Sequence, residues 1–557
     1  MKPIRHVTSS HALLANFAAN GVDRVFLVPG ESYLGILDAL NDFPDIDAVT
    51  CRHEAGAGFM AVADGRLARR PGVVMVSRGP GASNAAIAVH TAQQDAVPLI
   101  LVVGQVPTGS LRRDAFQEID YQHMFGRIAK WVAEPTDPQQ LAQIAFKAVR
   151  VAMSDTPGPV VLVLPEDIQQ QPVPESVFDL PPPTPVGPSE AQALQLRSLL
   201  QQSQRPLVVA GGVFDRPGGR EALRAFAEQW KVPVAVSFRR HDLMDNAHPL
   251  YAGDLGLANP QRQLDAFQES DLLLALGTRF GDITSQGYTF PRMPRPAQTV
   301  VHCHPDSSCI GKHFVADFAL GCDPVAMIEA VGLPQQPPPA AREEWAARLR
   351  GLYQEIARWP VPSTGSESVD FTSVVHVLAR LAPADTVVTL DAGTFGAPFY
   401  RHFPFRWPQR LLAPISGAMG YGVPAAIAAQ MRLPATRVVC ALGDGGFLMT
   451  GNEIIAAVQR RLPILVLLSN NDAYGSIRIH QDRDYPGRHV GTTLFNPDFL
   501  QIARGFGVLA ERVTAAHEIE PALRRGLACA DGPYLIEFRT QIPTPAARPA
   551  TGVSLSD

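Results

Sequence analysis

One pattern recurs along almost the whole chain: a short apolar run rich in β-branched residues, then a glycine-rich or polar turn, then a stretch of helical character. These runs are residues 73–77, 99–104, 160–165, 207–212, 232–237, 271–277, 386–391, 437–444 and 464–470. Continuous apolar strands that alternate with helices are typical of parallel sheets covered by helices on both faces. The pattern therefore predicts an α/β fold of doubly wound parallel sheets.

Two proline-rich stretches interrupt this pattern. They are residues 171–189 (QPVPESVFDLPPPTPVGPS) and 333–342 (LPQQPPPAAR). Such segments do not form ordinary helices or strands, and we interpret both as semi-rigid linkers. Because they leave three blocks of the usual domain size, we expect three domains. The predicted domains are an N-terminal one over residues 1–170, a central one over 190–332 and a C-terminal one over 365–545.

Composition excludes several classes of protein. The 557 residues include 48 Lys and Arg against 53 Asp and Glu. The chain therefore lacks the excess of positive charge that is typical of a nucleic-acid-binding protein. Six cysteines without a CxxC pair argue against a zinc ribbon or a disulfide framework and indicate a reducing compartment. No apolar run approaches the roughly 18 residues that cross a bilayer. We therefore expect a cytoplasmic protein without nucleic-acid or membrane partners.

The C-terminal block carries two polar motifs, each directly after an apolar run. GDGG (443–446) follows the first run, NNDAYG (470–475) follows the second, and Asn471 comes 27 positions after Asp444. That spacing is one strand–helix–strand unit, so adjacent parallel strands would bring both motifs to one sheet edge. A carboxylate and an amide oxygen suit Mg²⁺ bound together with phosphates. The glycines that would let backbone N–H groups approach a diphosphate are Gly443, Gly445 and Gly446. Either motif alone could be a simple turn, but together they favour a metal–diphosphate site.

This pair resembles the motif of thiamine diphosphate enzymes, in which GDG is followed one strand–helix unit later by NN. The resemblance then extends over most of the chain. It is carried by CRHEAGAGFMAVADGRLAR (51–69), GPGASN (79–84), AFQEID (115–120), GTRF (277–280), SGAMGYGVPAA (416–426) and GDGGFLMTGNEI (443–454). Together these segments resemble the acetolactate synthase branch of the 2-oxoacid decarboxylase and carboligase superfamily.

The resemblance implies a set of cofactor contacts. Asp444, Asn471 and the main-chain oxygen of Ala473 would hold Mg²⁺. The Gly417 carbonyl and the Met419 N–H would bind the aminopyrimidine ring, and the Met419 side chain would support the bent cofactor. The other implied contacts to the cofactor are Gly393 and Thr394 in DAGTF (391–395), the three glycines of GDGG, and Tyr474.

Glu54 follows the run IDAVTC (46–51) and begins a helix of small residues. By itself, an acid in the first turn of a helix is usually a partner of the helix dipole. The resemblance instead implies that Glu54 contacts the aminopyrimidine and controls its protons. Because Glu54 and Asp444 fall in different predicted domains, the resemblance also implies a homodimer or homotetramer with active sites between subunits.

Several positions depart from typical acetolactate synthases. Glu31 stands where they usually carry glycine, and it is either a proton-transfer residue or a solvated loop acid. Arg78 replaces a small residue and would pair with a substrate carboxylate or with Glu31. His480 replaces a tryptophan that selects a larger acceptor, whereas Gln117 is retained.

The central domain carries FAD in acetolactate synthases. Here GTRFGDITSQG (277–287) lacks a second arginine, and LYAGDLGLAN (250–259) lacks the GMHG sequence. An FAD-binding and a nucleotide-free central domain therefore both stay open. The resemblance implies decarboxylation of pyruvate or a related 2-oxoacid and transfer of the remaining fragment to a second carbonyl, as in branched-chain amino acid biosynthesis. Release of an aldehyde is the alternative, which Glu31 and His480 favour and Gln117 does not.

Overall fold

The computed structural model describes residues 5–179, 181, 184–257, 259–361 and 369–542. The helices of these residues are α1 (Ser9–Ala19), α2 (Leu34–Ala39), α3 (Glu54–Ala68), α4 (Pro80–Asp95), α5 (Tyr121–Phe125), α6 (Leu141–Met153), α7 (Glu190–Gln202), α8 (Gly219–Trp230), α9 (Gln261–Gln268), α10 (Pro324–Val331), α11 (Ala341–Ile356), α12 (Phe371–Leu381), α13 (Ala397–Arg401), α14 (Gly422–Arg432), α15 (Asp444–Thr450), α16 (Ile454–Gln459), α17 (Gly475–Asp484), α18 (Phe499–Gly505) and α19 (Ile519–Ala528).

The strands alternate with these helices. They are β1 (His6–Thr8), β2 (Arg24–Leu27), β3 (Asp47–Thr50), β4 (Gly72–Val76), β5 (Leu99–Gln105), β6 (Trp131–Ala133), β7 (Pro159–Pro165), β8 (Pro172–Pro174), β9 (Pro206–Ala210), β10 (Val234–Ser237), β11 (Tyr251–Leu255), β12 (Leu272–Leu276), β13 (Thr299–Cys303), β14 (Phe318–Leu320), β15 (Val387–Leu390), β16 (Arg410–Leu412), β17 (Val438–Gly443), β18 (Leu465–Asn470), β19 (Leu509–Val513) and β20 (Tyr534–Arg539).

Three six-stranded sheets account for most of these strands. Their orders are β3-β2-β4-β5-β7-β6, β11-β10-β9-β12-β13-β14 and β16-β15-β17-β18-β20-β19. Neighbouring strands run parallel in the first two sheets, and so do β17, β18, β20 and β19 in the third. Every residue of β4, β5 and β7 is buried, because helices cover both faces of the sheet. The predicted α/β fold of doubly wound parallel sheets is confirmed.

The described residues form two compact units. The first contains the described residues up to 358 together with 384–387 and 404–416, and the second contains those of 359–383, 388–403 and from 417 onward. The first two sheets lie in the first unit, and strands β17–β20 lie in the second. The domain boundaries 1–170, 190–332 and 365–545 stay a prediction. No helix in the described part of the chain has both the length and the apolar character needed to cross a membrane.

The two proline-rich stretches are more structured than the sequence predicted. Within 171–189, strand β8 pairs antiparallel with β1, and its two prolines stand at the ends of the strand while Val173 is buried. Proline fits such an edge position because it lacks only the donor that a central strand would need. At the end of 333–342, Arg342 is buried in α11 and donates to the main-chain oxygens of Ser203 and Trp230.

Helices α3 and α4 pack closely, which explains the run of small residues after Glu54. A Cβ atom on Gly58 would lie only 2.3 Å from the Cβ of Ala88, so neither position has room for a larger side chain. Because α3 begins at Glu54 and α4 begins at Pro80, this contact also fixes where the two helix starts lie.

Candidate active site

The two motifs of the C-terminal block lie at one edge of the third sheet. Strands β17 and β18 are adjacent and parallel, with Gly443 opposite Ser469, as the spacing predicts. Helix α15 begins at Asp444 directly after β17, and the turn 470–475 joins β18 to α17. The carboxyl ends of these two strands therefore present both polar motifs together.

Asp444 is a buried carboxylate with uncharged hydrogen-bond donors. Its Oδ1 accepts from the Gly445 N–H at 2.9 Å, and its Oδ2 accepts from the Asn496 side-chain amide at 2.8 Å. Burial raises the pKa of Asp444, and the nearby Asp472 adds to this effect, although the hydrogen bonds from Asn496 and the main chain oppose it. A bound cation would offset the cost of keeping this carboxylate ionised.

The turn 470–475 is held by its own side-chain amides. Asn471 Oδ1 accepts from the Ala473 N–H at 3.1 Å, and Asn470 Oδ1 accepts from the Asp472 N–H at 3.2 Å. Asp472 takes the left-handed conformation with φ of 53°, which a short polar residue tolerates. The Ala473 N–H also faces the Asp444 carboxylate. The three residues predicted to bind metal are thus brought together.

Residues 492–494 pair in antiparallel geometry with the turn 470–475. The Tyr474 N–H donates to the Thr492 main-chain oxygen at 2.9 Å, and the Leu494 N–H donates to the Asp472 main-chain oxygen at 2.8 Å. The Ala473–Thr493 bridge lies between these hydrogen bonds. Residues 492–494 therefore hold the turn in place, and Asn496 lies two positions further along the chain.

The first turn of α15 is lined by the predicted cofactor contacts. A Cβ atom on Gly445 would lie 2.5 Å from the Tyr474 ring and 3.5 Å from Met419 Cε, so only glycine fits there. Gly417 has φ of 69°, in the left-handed region that favours glycine. These contacts bring Met419 and Tyr474 next to the start of α15.

The loop after β15 lies beside the same edge. Gly393 precedes the single turn Thr394–Gly396, and Phe395 has its ring 3.3 Å from the position of a Cβ on Gly443. The Cβ position of Gly475 lies 3.7 Å from Thr394 Oγ1 and 2.8 Å from Asn471 Nδ2. The loop 391–395, which is predicted to contact the diphosphate, and the turn 470–475, which is predicted to bind the metal, are therefore neighbours.

Asp391 ties these segments together, and the sequence analysis missed it. Its carboxylate is buried and accepts from the N–H groups of Ala392 at 2.7 Å, Gly420 at 2.9 Å and Gly422 at 3.0 Å. Gly446 lies against it, since a Cβ there would be 3.2 Å from the Asp391 carboxyl carbon. One side chain thus joins the loop after β15, the turn that contains Met419 and the start of α15.

In the first unit, Glu54 begins α3 at the carboxyl edge of the first sheet. Asn84 Nδ2 donates to Glu54 Oε2 at 2.9 Å, and His53 caps the helix by accepting from the Ala55 N–H. Burial raises the pKa of the Tyr33 hydroxyl, and the nearby Glu54 carboxylate acts in the same direction. The side-chain amide of Asn84, near the start of α4, therefore holds the Glu54 carboxylate.

Arg78 has a partner that the sequence analysis did not foresee. Its Nη1 donates to Glu166 Oε2 at 2.9 Å, so the alternative pairing with Glu31 is wrong. Arg78 follows β4 and Glu166 follows β7, and both strands flank β5 with their carboxyl ends at the same edge, so the ion pair crosses the end of β5. Glu31 is exposed and begins a single helical turn after β2.

Gln117 and His480 are both exposed, in different units. Gln117 has φ of 63°, and its main-chain oxygen lies 2.6 Å from the Cβ position of Gly79, which precedes α4. His480 lies on α17, which begins where the metal turn ends. Gln117 thus lies near the helix that carries Asn84, and His480 lies near the turn 470–475.

Three models of protein families match the chain in order. The N-terminal TPP binding domain of thiamine pyrophosphate enzymes matches residues 7–124, the central domain matches 194–331, and the C-terminal TPP binding domain matches 391–538. Acetolactate synthase isozyme 2 large subunit of Escherichia coli K12 is 32% identical, with 93% of each chain covered. Isozyme 3 large subunit from the same organism is 32% identical, with 94% of this chain and 92% of that protein covered. The acetolactate synthase large subunit of Corynebacterium glutamicum is 30% identical, with 96% of this chain and 86% of that protein covered.

The chain belongs to the thiamine pyrophosphate enzymes. Within that family it is similar to acetolactate synthase large subunits, which confirms the resemblance found in the sequence. Thiamine pyrophosphate and thiamine diphosphate are the same compound, and the match over 391–538 includes both motifs at the third-sheet edge.

The donor set at Asp444 fits a magnesium diphosphate. Among the residues described, no group of three or more His, Cys, Asp or Glu side chains could hold a metal. A cation beside Asp444 would therefore depend on amide, main-chain and phosphate oxygens, which is how Mg²⁺ binds in phosphate-transfer sites. The buried Asp444 carboxylate, whose hydrogen-bond donors are uncharged N–H groups, agrees with this ligand.

In the central region of this thiamine pyrophosphate enzyme, the arginine of GTRF has internal partners. Arg279 donates to the main-chain oxygens of Gln93 at 3.0 Å and of Gln94, at the end of α4. Its guanidinium therefore helps to join the central sheet to the N-terminal one.

Three site residues escaped the sequence analysis. Asp391 begins the quoted DAGTF segment and Asn84 ends the quoted GPGASN segment, so both had a usable position after an apolar run. Asn496 had no such signal, because it lies 52 positions from the carboxylate that it contacts. Only the folded turn brings it there.

Proposed function

We propose that this protein is a Mg²⁺- and thiamine diphosphate-dependent carboligase that acts on 2-oxoacids in the manner of an acetolactate synthase. It would decarboxylate pyruvate or a related acid and transfer the remaining fragment to a second carbonyl. The observation that carries the proposal is the buried Asp444 beside the turn 470–475, at the carboxyl ends of two adjacent strands. The relatives that are named acetolactate synthases support the choice of reaction.

The chain's residues divide the work at the cofactor. Asp444, Asn471 and the Ala473 carbonyl would hold the cation, while Gly445 would let the main chain of α15 approach the diphosphate. Met419 and the Gly417 carbonyl would orient the aminopyrimidine ring. Thiamine diphosphate, when bound, supplies the electron sink needed to break the bond to the departing carboxylate. The remaining diphosphate contacts would be Gly393, Thr394, Gly443, Gly446 and Tyr474.

Glu54 would be the catalytic acid and base toward the aminopyrimidine. Its carboxylate accepts from Asn84, which orients one oxygen and leaves the other for the ring. Gln117, near the start of α4, would contact the acceptor. Arg78 would line the substrate pocket while it is paired with Glu166. This ion pair already offsets part of the positive charge of Arg78.

Release of an aldehyde is the second candidate function. It is favoured by the exposed Glu31, which lies beyond the carboxyl end of β2. In its protonated form, the carboxyl group of Glu31 could transfer a proton to the reacting carbon. His480 would line the substrate pocket in place of a bulky apolar side chain.

Incubation with pyruvate, Mg²⁺ and thiamine diphosphate tests the two candidates. After acidification, acetoin reports acetolactate, whereas acetaldehyde without acetoin would reject the carboligase. If neither product appears, a mass-resolved screen of other 2-oxoacids locates the donor. Glu54→Gln serves as the control, since it should lose proton exchange at the thiazolium C2 while it still binds the cofactor.

The proposed assembly is a homodimer or homotetramer with active sites between subunits. Glu54 and Asp444 belong to different compact units, and each is surrounded by contacts from its own unit. The relatives are named large subunits, which also points to an assembly with further chains. Decarboxylation and addition to a second carbonyl transfer no electrons to a redox cofactor, so the proposed reaction does not require FAD.

A further inference from the structure

Asn496 lies at the meeting point of three oxygens near the proposed metal site. Its Nδ2 is 2.8 Å from Asp444 Oδ2, 2.9 Å from Asn470 Oδ1 and 3.1 Å from Asp472 Oδ1. An amide NH₂ has two hydrogens, so the three acceptors share them. A neutral donor therefore separates two carboxylates that would otherwise repel each other.

Two of the acceptors around Asn496, the side chains of Asn470 and Asp472, make further side-chain contacts that hold them in place. Asn470 donates through Nδ2 to Glu537 Oε1 at 2.7 Å, and Glu537 is buried and accepts from Arg512 Nε at 2.8 Å. Asp472 pairs with Arg539, whose Nη1 lies 3.4 Å from its Oδ1. The network thus runs from charged groups on β19 and β20 to the turn.

Asp444 differs from the other two acids of this network. Asp472 and Glu537 each have an arginine partner, whereas the donors to Asp444 in the described part of the chain are uncharged N–H groups. A buried carboxylate without a charged partner is costly to keep ionised, so its orientation depends strongly on the few donors present. Among side chains, Asn496 is the donor that the structure gives it.

We propose that Asn496 is a positioning residue that orients the Asp444 carboxylate and locks it to the turn 470–472, so that the oxygens for Mg²⁺ are arranged before the cation arrives. The inference rests on the proposed function, because it assigns a role toward the same cofactor. Removing a group that orients a metal ligand costs roughly 10- to 100-fold in metal affinity. Asn496 acts through Asp444 and does not need to touch the cofactor.

The test is the Mg²⁺ concentration at which the dialysed enzyme half-saturates with thiamine diphosphate, measured by equilibrium dialysis. Asn496→Ala is expected to raise this concentration roughly 10- to 100-fold. Asn496→Ser, whose hydroxyl is too short to reach Asp444, gives a second variant in case the first does not fold. Gln501→Ala is the matched control, because Gln501 donates to the exposed Asp498 in the same segment and should leave the value unchanged.

The outcomes separate the two proposals. If the wild type does not bind thiamine diphosphate at any Mg²⁺ concentration, the proposed function is overturned, and this inference with it. If the wild type binds and both Asn496 variants half-saturate at the wild-type Mg²⁺ concentration, the inference alone is overturned. A positioning role further predicts that the rate at saturating Mg²⁺ returns to within about threefold of wild type. A rate that stays low at saturating Mg²⁺ would instead mean that Asn496 supports only the fold.

Discussion

Asp391 is the residue whose replacement should most directly disturb the turn that contains Met419. Its carboxylate accepts from three backbone N–H groups, those of Ala392, Gly420 and Gly422. In Asp391→Asn, one oxygen becomes an NH₂ group that faces the Gly422 N–H, so that buried donor loses its acceptor. A lost acceptor of this kind costs about 1–3 kcal/mol, and the remaining hydrogen bonds lose their charge assistance. We expect a total of about 2–3 kcal/mol, on the same basis.

Hydrogen–deuterium exchange measures this cost where it arises. About 2–3 kcal/mol corresponds to roughly 30- to 150-fold faster exchange in a peptide over residues 417–426. Asp531→Asn changes an exposed aspartate of the same unit and should leave the peptide unchanged. If Asp391→Asn exchanges in this peptide at the wild-type rate, the carboxylate does not hold the turn and the reasoning fails.

Two further predictions concern the first unit. Asn84→Ala removes the donor to Glu54 Oε2 and should slow the 2-oxoacid reaction about tenfold, the effect of one hydrogen bond to a charged group, with cofactor affinity unchanged; an unchanged rate would refute the orientation of Glu54. Asp215→Asn breaks the buried ion pairs with Arg220 and Arg410 and should cost about 3–5 kcal/mol of stability in denaturant unfolding. Burial acts to raise the pKa of Asp215, but the guanidiniums outweigh it and hold the pKa well below its usual value. The wild type should therefore lose this stability as pH falls below about 4, where the unfolded chain takes up the proton first, and a variant with the same acid profile would contradict the assignment.

The sequence predicted those features that depend on the order of strands. Asp444 and Asn471 each follow an apolar run one crossover unit apart, and parallel crossovers place such strands side by side. The adjacency of β17 and β18 is therefore readable without a structure. The helix start at Glu54 is readable as well, because small residues follow it and allow close packing.

The remaining features depend on which surfaces meet. Asn496 reaches Asp444 only because residues 492–494 pair with the turn, and no local pattern encodes that pairing. Glu166, the partner of Arg78, follows β7, which comes three strands after β4 along the chain, and no local pattern identifies it. Strand β8 within a proline-rich stretch was also missed, since composition alone does not tell an edge strand from a linker.

We propose that Glu54 of one subunit and Asp444 of its partner serve the same cofactor. Mixing inactive Glu54→Gln enzyme with inactive Asp444→Ala enzyme tests it, after denaturation and joint refolding or after co-expression. A hybrid dimer then has one site with both changes and one site with neither, so random mixing should restore roughly a quarter of wild-type activity. If native mass spectrometry shows that the hybrids form and they stay inactive, the two residues do not meet across a subunit boundary and the claim is wrong.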